Sequence, residues 1–569
     1  MPKRLLATPG RLGQRTLALL TTILLALSLT SMAGSAQAST PDTQHLPGPP
    51  AFGANVKIFD PSMPTSEIQA AVDAVRDEQL DNEMGTARYS LLFKPGTYGT
   101  VDAPLIFQVG YYTEVAGLGK NPTDVTINGS VNVYNRCLAP DNCIALNNFW
   151  RSLANLTINV AGGTDCRASG NFWAVSQAAP MRRVNMNGNL TLMDYCTAGP
   201  QYASGGFIAD SKTSTITNGS QQQFLVRDSS IGAWSNGVWN QVFAGVEGAP
   251  ADNFGVAGGT YTTLPSNPAS RERPYLYVTP ANERTRADSW SVFVPKARTN
   301  STGTTWAAGS TAGKSIPLSR FFIAKPSDSV NTINSQLARG KNLIFSPGVY
   351  NIDRSIRVNR PETVVLGLGI ATLTAVNGAV PIKVGDVKGV DIAGIMIDAG
   401  TVNSPALLQI GNKHDHGSWW RRLCSDPKNP TALQDVFFRI GGPHIGKATN
   451  SLIVNSDNVI LDNIWAWRAD HGEPGSYGWT INTADTGVLV HGDNVTATGL
   501  FVEHYQKYNV IWDGENGKTV FFQNELPYDA PDQASWQHDG VLGWAAYKVA
   551  NSVRKHELWG GGSYIYTNV

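Results

Sequence analysis

Short apolar runs bounded by Gly, Asn and Asp recur along the chain, as in Val125-Thr126-Ile127, Leu156-Thr157-Ile158, Ile395-Met396-Ile397 and Leu452-Ile453-Val454. Runs of a few residues between turn formers predict strands, because a side-chain period of two defines a buried face with few positions. Helical periodicity is scarce, its best stretches running from Ser66 to Leu80 and from Ser329 to Ala338. An all-β fold is expected.

A larger repeat organises these strands. Ile58-Phe59-Asp60-Pro61, a short helix, Leu91-Leu92-Phe93-Lys94-Pro95-Gly96-Thr97-Tyr98 and Val115-Ala116-Gly117-Leu118-Gly119 come in one order. The same order returns as Ile323-Ala324-Lys325-Pro326, a helix, Leu343-Ile344-Phe345-Ser346-Pro347-Gly348-Val349-Tyr350 and Val365-Leu366-Gly367-Leu368-Gly369. This reads as a duplication, with bodies at 45–297 and 316–569 joined by a Thr/Ser/Gly-rich linker at 298–315. Inside the halves the period shortens: Asn148-Phe149-Trp150 returns as Asn171-Phe172-Trp173, and Leu489 to Val495 as Ile511 to Gly517, about 22 residues on. That period suits one coil of a parallel β-helix, whose inner residues are buried only by stacking on the neighbouring coils. Ile453 to Val459 is an earlier copy, and the longer step after it leaves residues from about Asp470 to Asp485 as a projecting loop.

The repeat also sets a register. Nine residues beyond Asn458, Asn494 and Asn516 lie Trp467, Glu503 and Glu525, so the two glutamates should stack one rung apart, about 4.8 Å at the backbone. Stacked carboxyls cannot both ionise freely, and one held protonated is the group a glycosidase uses to protonate a leaving oxygen. Trp465, on the same strand face as Trp467, extends an apolar wall on which sugar rings stack. Stacking alone favours a solvated Trp/Glu ladder on an open sheet face.

Composition narrows the function classes. The 569 residues carry 44 Lys+Arg against 44 Asp+Glu, which argues against a nucleic-acid partner bound through bulk charge. Lys3, Arg4, Arg11 and Arg15, the apolar run Leu17 to Leu29 and the site Ala36-Gln37-Ala38 read as a signal peptide over 1–38, so a secreted, extracellular protein is expected. No later apolar stretch is long enough to suggest a membrane partner. An oxidising compartment suits one or two disulfides among Cys137, Cys143, Cys166 and Cys196, with Cys424 left over. His414-Asp415-His416 and His538-Asp539 lack a third ligand at a metal-site spacing, and no helix pattern follows Gly117-Leu118-Gly119, so neither metal nor other cofactor is expected.

The runs Phe93 to Gly99, Gln108 to Gly119, Gln201-Tyr202-Ala203-Ser204-Gly205-Gly206-Phe207 and Gln523-Asn524-Glu525-Leu526-Pro527-Tyr528-Asp529 resemble glycoside hydrolase family 55 over nearly the whole chain after the signal peptide. The resemblance implies two tandem right-handed parallel β-helices, pectate-lyase-like and packed side by side, with an active site in the cleft between them. It implies an inverting β-1,3-glucanase, mostly exo-acting on laminarin-like neutral β-glucan. Glu525 would be the general acid and Glu503 a helper, through a proton relay or by shaping the field at the acid. Gln177 and the backbone carbonyl of Ser204 would hold the attacking water, and Tyr202, Asp470, His471 and Tyr528 would line the sugar subsite. Family members run on beyond this chain's last strand, which implies missing final coils, and a monomer is expected. Carboxyls about 5 Å apart would by themselves suggest retention rather than inversion. Two rivals stand beside this reading: another β-helix hydrolase or lyase of the pectinase kind, which should show Lys/Arg or carboxylate clusters in its groove, and a non-catalytic carbohydrate binder.

Overall fold

The computed structural model describes residues 50–413 and 423–566, and most of their strands run parallel in two stacks. The N-terminal stack is a 15-stranded sheet from Val56–Phe59 to Tyr261–Leu264. The C-terminal stack combines a 10-stranded sheet, Phe321–Ala324 to His556–Tyr564, with a 7-stranded sheet, Ile356–Val358 to Tyr547–Val549. Parallel register carries one apolar position through each stack. Leu91, Val115, Leu153, Met181, Ile208, Val226 and Phe243 are successive Cα partners within one core. Leu343, Val365, Ile392, Leu433 and Leu461 do the same in the second core, which Val358, Val384, Ile410, Val454 and Val490 of the other sheet complete.

The expected helices form as Thr65–Gln79 and Val330–Ala338. Each follows the edge strand of its sheet and buries an apolar stripe, Ile68/Val72/Val75 or Val330/Ile333/Leu337, in that stack's core. Residues 298–315, read as a linker, contain the strand Arg298–Ser301, antiparallel to Asn267–Ser270, and most of Gly313–Pro317, antiparallel to Ser289–Pro295. Cys137–Cys143 and Cys166–Cys196 are disulfides and Cys424 is a free thiol. The signal-peptide segment and His414-Asp415-His416 lie outside the described residues.

One backbone feature of the 10-stranded sheet decides which side chains face outward. Gly394, Asp435, Asn463, Gly499, Phe521 and Gly560 all have positive φ and occupy equivalent places on successive strands. For a non-glycine residue that conformation costs about 1–2 kcal/mol. The left-handed residue breaks the strict alternation, so that Leu461 and Ile464 both point inward while Asp462, Trp465 and Trp467 point out.

Those outward side chains meet the other stack. Phe207, Leu225 and Val242 on one side and Met396, Phe437, Trp465 and Phe501 on the other form a shared apolar cluster. Beside it lies a buried charge network: Arg182 Nε donates to Asp435 (2.9 Å) and its NH1 to Asp462 (2.8 Å), while Arg227 grips Asp462 with two parallel bonds (2.8 and 2.7 Å). Such forked pairs hold only when every buried charge keeps its partners. Asp462→Ala leaves two buried guanidiniums short of a carboxylate, and we expect it to cost about 3–5 kcal/mol. Thermal unfolding checks this, an unchanged midpoint showing that the network does not secure the contact.

Candidate active site

The register of the three strands Val459–Arg468, Thr496–Glu503 and Gly517–Glu525 pairs Trp467 with Glu503 and Glu503 with Glu525. The next rung pairs Glu525 with Tyr564. This column is not an open, solvated face, because the N-terminal stack covers it. Trp465 and Trp467 are each 1% exposed and stack on one another at 5.3 Å, with Phe149 and Trp150 of the opposite stack packed against them.

Between the stacks lies a cavity of about 320 Å³, a size suited to a small ligand. Glu525, Glu503, Gln177, Ser204, Trp465, Trp467, Asp470, His471 and Tyr528 all line it. Tyr202 does not: its side chain is half exposed, outside the lining, although its neighbour Ser204 reaches the cavity. Sequence reading missed Glu83, His504, Gln222 and Tyr564. Tyr564 extends the glutamate column, but the insertion between Glu525 and His556 hides the period. Glu83 has no repeat partner, and nothing local in the sequence marks it.

Glu503 is buried and tied at both oxygens, accepting from Gln177 Nε2 on Oε1 (2.9 Å) and from Trp465 Nε1 on Oε2 (2.8 Å). Burial and the neighbouring Glu525 carboxyl push its pKa well above the ordinary carboxylate range, against the pull of the Trp465 N–H. Glu525 keeps 19% exposure, its opening to the cavity, and accepts from Gln523 Nε2 (3.2 Å) and from the Tyr528 hydroxyl. Burial raises its pKa too, although His504 and the Tyr528 hydroxyl pull the other way. His504 Nε2 stands 3.5 Å from Glu525 and 3.9 Å from Asp470. The Ser204 hydroxyl is buried without a hydrogen-bond partner, which leaves an unmet polar demand at the cavity wall.

Both ends of the column are closed across the two stacks. At one end His471, on the projecting loop, bonds to Asp470 through Nδ1 (2.8 Å) and to Glu83 through Nε2 (2.9 Å). Arg136 holds Glu83 from behind at 2.6 Å. Burial opposes the charged ring, but these two carboxylates raise the His471 pKa to about 10, so it is an imidazolium at neutral pH. Despite burial, His504 and His471 hold Asp470 well below the usual range. At the other end the Tyr564 hydroxyl donates to Gln222 (2.7 Å), and its ring lies 4.3 Å from that of Trp239.

His538 stacks on Trp544 and faces the Gly543 carbonyl, and no group of three or more His, Cys, Asp or Glu fit to hold a metal occurs among the described residues. Gly117 and Gly119 offer their carbonyls to Asn155 in a turn. A buried carboxyl with raised proton affinity over an indole wall, in a cavity lined by no Lys or Arg, is equipped for acid catalysis on an uncharged, ring-bearing substrate.

Comparison with known proteins agrees with that chemistry. Residues 321–525 match the LAM55 pectate lyase-like domain. The chain is 49% identical over 562 residues to an exo-beta-1,3-glucanase of Streptomyces sp. strain SirexAA-E, covering 99% of this chain and 87% of that one. The solved structure of sacteLam55A from the same strain superposes with a TM-score of 0.82 at 50% identity, over 92% of this chain and 89% of that chain. A Glu-to-Ala variant of sacteLam55A in complex with glucose gives 0.80 at 48% identity over the same shares.

The Glu83–His471 contact has a pH signature. His471, with its pKa raised from 6.5, contributes stability that is lost as pH rises toward about 10, and Glu83, lowered from 4.5, contributes stability that is lost as pH falls. The stability difference between wild type and Glu83→Gln should therefore be largest between about pH 4.5 and 6.5 and shrink on both sides. A difference that does not change with pH would remove the ion pair from this role.

Proposed function

The chain belongs to glycoside hydrolase family 55, and from that membership and the geometry of the cavity we propose that it is a secreted, inverting exo-β-1,3-glucanase acting on laminarin-like chains. The observation that carries this reading is the paired, buried Glu503 and Glu525 beside the Trp465/Trp467 wall. The architecture proposed with it is two tandem right-handed parallel β-helices, 45–297 and 316–569, side by side around the cavity. The repeated stacks of apolar partners support that reading. Secretion rests on the segment 1–38, and the working form is taken as a monomer.

In this mechanism Glu525 gives its proton to the glycosidic oxygen, and burial, by raising its pKa, favours the protonated form that this requires. Glu503 is a positioning residue. Both of its oxygens are engaged, and its hold on Gln177 Nε2 leaves the Gln177 carbonyl oxygen free to accept from a water. The partnerless Ser204 hydroxyl offers that water a second contact beside the backbone carbonyl implied by the resemblance. A water held by uncharged groups attacks the anomeric carbon from the face opposite the departing chain, which inverts the centre; the proton that water sheds passes to solvent in the cavity, and a solvent proton restores Glu525 for the next turnover. Close stacking of two glutamates therefore does not require retention here, since Glu503 is tied down rather than aimed at the sugar. The cross-stack closures at Glu83–His471 and Tyr564–Gln222 favour a pocket that takes a chain end over an open groove. The absence of Lys and Arg from the lining favours a neutral glucan over the acidic polymers of a pectinase or lyase.

Glu525→Gln should lower kcat on laminarin about 10²–10⁴-fold. Proton NMR of the first product should show the α anomer of glucose, a β anomer overturning inversion. Because Glu525 acts protonated, the rate should fall as pH rises through its raised pKa. Tyr528→Phe removes a bond that favours the carboxylate, so the alkaline limb should move upward. An unmoved or lowered limb would take the acid role away from Glu525.

A further inference from the structure

The first coil of the C-terminal stack carries a groove of about 680 Å³ that the glucan cavity does not use. Asn331, Asn334, Arg354, Arg357, Asn359 and Arg360 are on its walls. It opens beside Ile356–Val358, the edge strand of the 7-stranded sheet, four strands from Ala484–Val490 on the coil that carries Glu503. At one strand spacing per rung that is roughly 19 Å along the stack.

Charge is distributed oddly here for a chain of zero net charge. Arg354 pairs with Asp353 at 3.2 Å, but both side chains are about half exposed and such a contact contributes little. Arg357 points out of its strand directly beside the outward Lys383 of the next one, a like-charge neighbour pair that destabilises a sheet. Arg360 reaches Asn342 through NH2 (3.0 Å), and its buried Nε has no hydrogen-bond partner. Burial, then nearby Arg320, lowers the Arg360 pKa. Glu362, the acid nearest in sequence, is engaged by Lys314 and by Asn429 (3.1 Å). Among the described residues Arg354 is thus the one of these three guanidiniums in ion-pair contact with a carboxylate, that of Asp353.

Guanidiniums in a concave site, Arg357 and Arg360 without a carboxylate partner and Arg354 only weakly paired, match oxyanions, which the planar fork binds bidentately; Asn334 is committed to the Ser355 carbonyl and the Arg357 N–H and Asn331 Oδ1 to Arg354, which leaves the Asn359 amide to meet a hydroxyl group. We propose that this groove is a second polysaccharide site, separate from the catalytic cavity, that takes glycans bearing carboxylate or sulfate groups. It would hold the enzyme on an acidic matrix while the cavity works on neutral glucan. A nucleic acid fits less well, because no aromatic side chain lines the groove to stack a base and the chain has no net positive field.

Affinity electrophoresis of the full chain tests this in low-salt gels containing polygalacturonate, dextran sulfate or duplex DNA. Retardation by polygalacturonate alone assigns carboxylate, by dextran sulfate alone sulfate, and by both a general glycan oxyanion. Each should be relieved by salt and weakened at least about tenfold in R354Q/R357Q, whose hydrolysis of soluble β-1,3-glucan should stay at the wild-type rate. No retardation by either glycan, equal retardation of the variant, or DNA held as strongly as the glycans would each overturn the proposal.

Discussion

Each strand of the C-terminal stack finds its hydrogen-bond partners one rung away, at about 4.8 Å, and a slip of one residue would turn its whole apolar set outward. The register that keeps Leu433 on Leu461 therefore also fixes Trp467 on Glu503 and Glu503 on Glu525. The spacing of the two glutamates is inherited from core packing here. A rigid ladder also brings a chemical consequence, since it holds two carboxyls next to each other that would separate on a flexible loop.

What the ladder does not supply is dryness. On an exposed sheet water would screen the repulsion within a Glu column, and only the second stack, laid over the column by the Arg182/Arg227–Asp462 network and the aromatic cluster, removes water from Glu503. The energetic logic is the usual one for buried charge: guanidiniums and carboxylates are tolerated where every one is multiply bonded, and the stacked Glu503 and Glu525, with no guanidinium between them, remain incompletely compensated. Stability of the contact between the stacks and proton affinity at Glu525 are thus two results of the same closure.

The projecting loop shows a different division of labour. Asp470 and His471 leave the coil after Arg468, which anchors the site by gripping Asp529 at 2.9 and 2.7 Å. Glu83 then locks the loop to the opposite stack. The family 55 cavity is consequently rigid along its column and depends on a few long-range ion pairs at its ends, while the basic groove at the first coil sits outside this arrangement.

Periodic features were legible in the sequence for a physical reason: every coil must bury the same positions against its neighbours, so Asn458, Asn494 and Asn516 recur at equal distances from the rungs, and each has the positive φ that asparagine accepts readily. That recurrence was enough to align Glu503 with Glu525, while both helices were legible from their own apolar periodicity. Contacts between the stacks left no such trace. Glu83 with His471, Tyr564 with Gln222 and Arg227 with Asp462 are each separated by more than two hundred residues and occur once, so no period reports them. Tyr202 illustrates the same limit, since a motif neighbouring Ser204 says nothing of which side chain turns into the cavity. The sequence by itself determined the ladder and the pairing of its glutamates, because local repetition encodes register; only the tertiary structure decided what covers that ladder and so raises its proton affinity, because burial by a distant surface is set by how two finished stacks meet.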